Sequence, residues 1–287
     1  SEGMHHAFSQ HVPNKTMHTP CELGMLLSLS NDSTKAEHDA VLGRGYQRAV
    51  GMLLWAGRGV YPECLYTIGQ LCKVMSKPTE QAWNVAMHLI AYMYEHKSVG
   101  ITYHSNGNKI PFFISDASNK GDPTDSKRAY GLCGMWMGGP VIAVSKKLEH
   151  SSSATAANEY MALSHTAKYA IWLRQLLIEM DLRDLVSSPT PIFADNKATN
   201  QWVSDDKMTQ GNMWILQCYH YVKEMADPKE GAIRVEYVKS QHNIADLFTK
   251  GVSKEVLTFL ASYLCGAKPI KELLRLIAEY ESKTAIR

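Results

Sequence analysis

Four acidic residues stand where a chain that alternates strands and helices would expose them together. Asp116 follows the apolar run "PFFIS", and Asp195 follows "PIFA". Each would end a buried strand, and two such strands lying side by side would bring the two acids together. Glu159 lies in "SATAANEYMAL", a helical stretch whose small residues allow close approach to a sheet. Asp246 comes in "VEYVKSQHNIADLFTK", after an alternating strand and a short polar loop, just inside the next helix. Taken singly, each has an ordinary explanation. A strand-terminal Asp forms turns, a helical Glu is solvated, and an acid in the first turn of a helix is favoured by the macrodipole. Taken together, four carboxylates on one edge would be costly as bare like charges. Divalent cations remove that cost, and an oxygen-only donor set suits Mg²⁺ or Mn²⁺ better than zinc. Two such ions about 4 Å apart are a device for in-line displacement at phosphorus.

The elements that must position these acids can be read from periodicity. Residues 1–40 are polar and turn-rich, and read as loop with a short ordered piece at "CELGMLL". From about 43 to 98 three helices follow. Tyr46, Val50, Leu53 and Leu54 share one face, as do Leu65, Ile68, Leu71, Cys72 and Met75, and then Trp83, Met87, Ile90, Ala91 and Tyr94. Near 100 the period changes. "VGITYHSNGNKIPFFISDAS" reads as two strands around an Asn-Gly hairpin turn. "AYGLCGMWMGGPVIAVSKKL" reads as two strands joined at Gly138-Gly139-Pro140. A long helix is expected from Ser153 to Met180, a short strand at 190–196, and a helix in "NMWILQCYHYVKEM" with Trp214, Cys218, Tyr221, Val222 and Met225 inward. "IRVEYVK" alternates as a strand, and helices around 254–264 and 269–282 close the chain. Three meandering strands followed by strands alternating with helices predict a mixed sheet with helices on its faces.

The totals are those of a globular chain. It has 287 residues, 45% hydrophobic and 20% charged, with a net charge of +2. That charge neither demands nor excludes nucleic acid, because local patches matter more than totals. The six Cys include no Cys-x-x-Cys pair, and read as reduced, mostly buried thiols of an intracellular protein, cytoplasmic or nuclear. No run of about 18 apolar residues suggests a membrane span. The first residues lack the apolar core of a signal peptide, and a chain that starts at Ser1 reads as a fragment or a processed product.

The motifs and their order resemble the RNase H domain of copia-type retrotransposon Pol polyproteins. The matching pieces are "ISDAS", the run from "RAYGLCGMW" through "NEYMALSHTAKYAIWLRQLL", "FADNKAT", "CYHYVKEM" and "VEYVKSQHNIADLFTK". Upstream, "MHTPCELG", "YQRAVGMLLWAGRGVYPECLY", "MSKPTEQAWNVAMHLIAYMY" and "VGITYHSNG" resemble the thumb and connection that follow the polymerase palm in those polyproteins. The resemblance implies an α/β fold, an RNase H-like five-stranded mixed sheet flanked by helices, preceded by a small helical region. The organisation it implies is a polar segment at 1–40, a helical thumb/connection-like region at 41–105, an RNase H-like domain at 106–252 and C-terminal helices at 253–287.

For function, the resemblance implies two-metal hydrolysis of the RNA strand of an RNA–DNA hybrid. Asp116, Glu159, Asp195 and Asp246 would hold two Mg²⁺, or Mn²⁺ in their place, and His242 would shuttle a proton or assist product release. Hybrid recognition would come through backbone and 2′-hydroxyls, with Ser118, Asn119, Asn158, Asn196, Lys146 and Lys147 as candidates. Trp136, Trp172, Trp202 and Trp214 read as core residues, not stacking platforms. The polymerase part of the same polyprotein is the implied partner.

The chain also departs from that pattern. It carries no Tyr-x-Asp-Asp, so the polymerase active site is absent from it. Asn212, Met213 and Trp214 stand before Ile215 where the family has a Lys-His pair, Glu63 replaces an Asp, and the tail from about 265 runs on. Two functions therefore compete: an active hybrid nuclease, and a catalytically inactive retrotransposon remnant serving as a nucleic-acid-binding or structural module. An integrase or transposase on the same fold fits less well, because such enzymes place their Glu last, and here it comes second in order.

Overall fold

The structure, a computed structural model, describes residues 1–29, 33–204 and 215–285. Its centre is a five-stranded sheet built from β1 (Phe112–Gly121), β2 (Arg128–Trp136), β3 (Gly139–Lys147), β4 (Thr190–Ala194) and β5 (Ile233–Tyr237), in the spatial order β3-β2-β1-β4-β5. The first three strands pair antiparallel, while β4 is parallel to both β1 and β5. This is the expected five-stranded mixed sheet with flanking helices. The β2–β3 hairpin turns at Met137 and Gly138, with φ of 53° and 86°. Positive φ at both central positions suits the right-handed twist of the strands. Pro140 is tolerated because β3 is an edge strand.

Ten α-helices surround the sheet among the described residues. α1 (Glu2–Ala7), α2 (Lys35–Gly43), α3 (Tyr46–Gly59), α4 (Leu65–Lys73) and α5 (Glu80–Glu95) precede it. α6 (Thr155–Glu179) links β3 to β4, and α7 (Lys197–Ser204) and α8 (Leu216–Met225) lie between β4 and β5. α9 (Lys254–Leu264) and α10 (Ile270–Ala285) close the chain.

Every residue of β1 from Phe112 to Ser118 is buried. Alternation along the strand explains why. Phe113 and Ala117 join a cluster with Tyr160, Leu163 and Ala167 of α6. Phe112 and Ile114 join a second cluster with Leu53 of α3, Ile68 of α4, Ile90 of α5, Leu260 of α9 and Leu273 of α10. The helical region and the last two helices are thus the cover of the second sheet face.

The segment after β5 is drawn into the same seam. Asn243 donates to the Ser115 carbonyl at 3.3 Å, and Ser145 of β3 donates to the Phe248 carbonyl at 2.7 Å. Between them lies Gly131 of β2, the cross-strand neighbour of Asp116. A Cβ on Gly131 would stand 2.5 Å from Phe248 Cβ and 2.9 Å from the Ala245 carbonyl oxygen.

Four local expectations are corrected. No hairpin forms around Asn106-Gly107. The Thr102 amide donates to Cys265 and the His104 amide to Met137, so tertiary partners take the groups that a strand before β1 would have used. The N-terminal segment contains helix as well as loop. Met4 of α1 is buried, His5 stacks on Tyr94 at 3.9 Å, and α2 is capped by Thr34, which accepts from the Glu37 amide at 3.2 Å. That Thr-x-x-Glu start is a capping-box sequence. Asp246 sits on a 3₁₀ segment, Ile244–Phe248, and the next α-helix begins only at Lys254. Trp172 is 53% exposed, whereas Trp202 rests against Tyr160 with ring centroids 6.0 Å apart. Trp214 lies outside the described residues, as do Asn212 and Met213.

Gly131→Ala should cost about 1–3 kcal/mol through overpacking against a backbone that cannot give way. A lower urea midpoint with an unchanged m-value would show it, and a midpoint equal to the parent's would rule out the close approach.

Candidate active site

The register of the parallel pair builds the site. Ser115 of β1 lies beside Ala194 of β4, so the next residues, Asp116 and Asp195, emerge side by side. The crevice beyond the carboxyl ends of parallel strands is where open α/β sheets present functional groups. Glu159 reaches the same point from α6. Its Oε2 accepts the Ala117 amide at 3.0 Å. The helix can come this close because Ala157, Ala162 and Ala167 on its inner face are fully buried small residues. Thr166 adds a polar contact, with its Oγ1 2.9 Å from Ser115 Oγ. One carboxylate oxygen each from Asp116, Glu159 and Asp195 lies within 4.8 Å of the others.

Asp246 completes the set from the 3₁₀ segment. It is 7% exposed, and its charge acts on Asp116 and Glu159. Its Oδ1 faces Lys250 Nζ at 2.7 Å. Thr249 donates its hydroxyl to Asp116 Oδ2, and Ser240 donates to Asp195 Oδ2 at 2.6 Å.

Electrostatics follow from this crowding. Burial raises Asp116 well above the usual carboxylate range, and the neighbouring Asp246 and Asp195 add to the shift against the opposing pull of Lys250. Glu159 is raised by burial and by Asp116 and Asp195. Asp246 is raised by burial, with Lys250 pulling the other way. Lys250 itself is raised: burial works against its charge, but Asp116 and Asp246 outweigh it.

The remaining sequence-predicted residues divide. Asn158 is fully buried and its amide is spent inside the chain. It accepts from the Ser152 amide at 2.9 Å and donates to the Ser152 and Ala154 carbonyls at 2.8 and 2.9 Å. It holds the start of α6 and offers nothing to a substrate. Asn196 accepts from the Thr199 amide at 3.1 Å as a helix cap, and the residue stays partly exposed. Ser118 closes a turn with Lys120, its Oγ 3.2 Å from both the amide and the carbonyl of that residue. Asn119 is exposed beside it, and Lys146 is exposed on the edge strand. Lys147 binds Asp122 at 2.8 Å and Asp125 at 3.0 Å. His242 is not brought to the carboxylates. It is buried beside Phe259, with ring centroids 5.9 Å apart, and the one charge that shifts it is Lys239, which adds to burial in lowering its pKa. Its near position in sequence is undone by the 3₁₀ turn at Ser240–His242.

Thr249, Lys250 and Ser240 were missed by sequence reasoning. Thr249 and Lys250 follow Asp246 at three and four residues, a spacing that returns side chains to one face of a helical turn. That signal was available. Ser240 had none, because its contact depends on how the β5 exit meets β4.

No family model matches the chain. It is 25% identical over 194 residues to the retrovirus-related Pol polyprotein from transposon RE2 of Arabidopsis thaliana, an alignment that spans 67% of this chain and 13% of that polyprotein. To the Pol polyprotein from transposon TNT 1-94 of Nicotiana tabacum it is 23% identical over 243 residues, 84% of this chain and 18% of the relative. The chain therefore spans less than a fifth of the length of these relatives. Among solved structures, RNase H1 from Halobacterium salinarum NRC-1 aligns with 52% of this chain and 98% of its own, at 15% identity and a TM-score of 0.36. This chain is thus similar to retrovirus-related Pol polyproteins from the plant transposons RE1, RE2 and TNT 1-94.

Proposed function

We propose that this chain is an RNase H-type endoribonuclease that hydrolyses the RNA strand of RNA–DNA hybrids as part of a retrotransposon reverse transcriptase. The observation that carries the reading is the convergence of Asp116, Glu159 and Asp195 within 4.8 Å, with Asp246 beside them. The polymerase part of the same polyprotein is the partner this reading implies.

The donor set fits divalent cations. All four side chains offer carboxylate oxygens, the ligands that Mg²⁺ and Mn²⁺ favour. Asp116, Glu159 and Asp246 are buried and Asp195 half-buried, and like charges crowded in this way are unfavourable without cations. Asp116, Glu159, Asp195 and Asp246 would hold the ions, two Mg²⁺ by this reading. Bound there, the ions would supply charge neutralisation and Lewis-acid polarisation at phosphorus. The protein's own groups do the positioning. The Ala117 amide fixes Glu159, Thr249 fixes Asp116, and Ser240 fixes Asp195. In the reaction, a water oxygen joins phosphorus, the bond to the 3′ oxygen breaks, and a proton ends on that oxygen. His242 receives no step, since it contacts Phe259 and none of the four acids among the described residues.

The competing reading, an inactive nucleic-acid-binding remnant, has one observation in its favour. Lys250 already presents a cation to Asp246, so part of the charge is balanced from within. Incubation with a labelled RNA–DNA hybrid and Mg²⁺ or Mn²⁺ separates the two. RNA-strand cutting is expected, and Asp116→Asn should lower its rate by about 10³-fold or more, since a metal ligand supports several kcal/mol of transition-state stabilisation. Hybrid binding without cutting would favour the remnant.

Thermal stability gives a readout independent of turnover. The raised folded-state pKa values of Asp116, Glu159 and Asp246 mean that these three groups favour folding fully below roughly pH 4, the unfolded carboxylate value, and lose that contribution as pH rises through the folded values. In EDTA the melting temperature should therefore fall between about pH 5 and pH 8, and Mg²⁺ should recover part of the loss. Asp116→Asn should show a smaller fall and a smaller Mg²⁺ gain. Equal gains in both proteins would mean that the ion binds elsewhere.

A further inference from the structure

A cavity of about 300 Å³ opens beside the carboxylate cluster, between α4 and the sheet edge. Six lysines line it: Lys73 from α4, Lys120 and Lys127 from either side of the β1–β2 turn, Lys146 and Lys147 from β3, and Lys250. Among the described residues, the one acidic residue in its wall is Asp122. We infer that this pocket binds the phosphodiester backbone of a nucleic acid, leading it from the carboxylate site onto the helical region.

Charge accounting supports the assignment. Asp122 is 3% exposed and is shared by Lys73 at 2.6 Å and Lys147 at 2.8 Å. Lys250 is matched by Asp246 at 2.7 Å. Lys120, Lys127 and Lys146 have no ion-pair partner among the described residues. Lys146 alternates with Ser145 and Lys147 along β3 and directs its charge to the other sheet face, where it acts on His165 of α6. Lys120 and Lys127 leave two unmatched ammonium groups at the cavity, and an anion offsets their repulsion. The buried Asp122 bridge fixes α4 to β3 and to the β1–β2 turn, so the walls are held in place before any ligand arrives.

The lining also selects which part of a nucleic acid enters. Tyr66 is the one aromatic residue in the wall among the described residues. It is 6% exposed, and its hydroxyl is committed to the Met25 carbonyl at 2.7 Å. No ring of the described wall is therefore free to stack a base, as base-binding channels require. Lysines without an aromatic platform recognise phosphate and ignore sequence. Thr249 and Lys250 line the cavity and contact the carboxylates Asp116 and Asp246. A strand whose scissile phosphate lies at Asp116 would thus have a neighbouring phosphate, on its own or the paired strand, within reach. Lys73 gives the helical region a direct part in substrate binding. The identity of the anion as an RNA–DNA hybrid rests on the nuclease reading above, but the pocket can be tested without cleavage.

Fluorescence anisotropy with a labelled RNA–DNA hybrid in EDTA, over a series of salt concentrations, is the experiment. The double variant Lys120→Ala, Lys127→Ala should bind more than fivefold more weakly than the parent. The slope of log K against log salt should fall by about 2, near one unit per lost phosphate contact. A control double, Lys15→Ala, Lys229→Ala, removes the same charge from exposed positions outside the pocket and should change the slope by less than about 1. Melting curves of both doubles establish that they fold. Equal slopes for the two doubles, or no hybrid binding by the parent, would overturn the pocket. A slope change confined to the pocket double in a parent that does not cut would uphold the pocket and sink the nuclease reading. Cutting by a parent whose slope the pocket double leaves unchanged would do the reverse.

Discussion

Carboxylates that repel one another must be held together by something other than their own contacts, and the architecture of this chain is organised around that requirement. Asp116 stands at the meeting point of three constraints. Its register partner Gly131 leaves no side chain between β2 and the segment that brings Asp246. Its parallel neighbour β4 delivers Asp195 alongside. The amide of the following residue, Ala117, anchors Glu159. Each acid is supported by a different element, so no single local rearrangement relieves the repulsion. A rigid, pre-formed cluster of this kind is what cation binding needs, and burial strengthens its electrostatics as it raises its cost.

The second sheet face shows what the helices on either side of the sheet in sequence do physically. Phe112, Ile114, Cys133, Met135 and Phe193 are buried against residues of α3, α4, α5, α9 and α10 in one continuous cluster. Side chains of that size bring about 1.5–3 kcal/mol each when removed from water. The N-terminal strap takes part as well: Met17, Cys21, Met25 and Leu27 are buried in the same cluster, and Gly251 lies so close to the Glu22 carbonyl that a Cβ there would stand 2.5 Å from it. The segment holding Asp246, Thr249 and Lys250 is consequently clamped between the sheet and chain that precedes it by more than 200 residues. The helical region supports the candidate site through packing and, through Lys73, borders it with charge.

The contrast between readable and unreadable features follows sequence separation. The five strands, the three helices over 43–98, the long helix and the two closing helices carry their period in their own residues, and these appear as expected. The hairpin around Asn106-Gly107 fails for a physical reason. Its turn signal is local, but the partners that win its backbone groups, Cys265 and Met137, are remote. Asn158 shows the same limit on a smaller scale. Its place beside Glu159 suggested substrate contact, yet all its bonds go to the loop that starts α6. Adjacency in sequence to an acid of the cluster is thus a poor guide to direction, because neighbours on a helix or strand point elsewhere.

Sequence by itself determined which residues carry charge, where the period of two gives way to the period of 3.6, and that acids end two apolar runs. These follow from composition and local geometry, which need no partner. Tertiary structure alone decided that Asp116 and Asp195 are neighbours, that Asp246 rides a 3₁₀ turn with Thr249 and Lys250 turned back to the cluster, and that His242 faces Phe259. It also gathered lysines from α4, the β1–β2 turn and β3 around one cavity. Those outcomes depend on strand register and on side-chain packing between segments far apart in the chain, quantities that no local window contains.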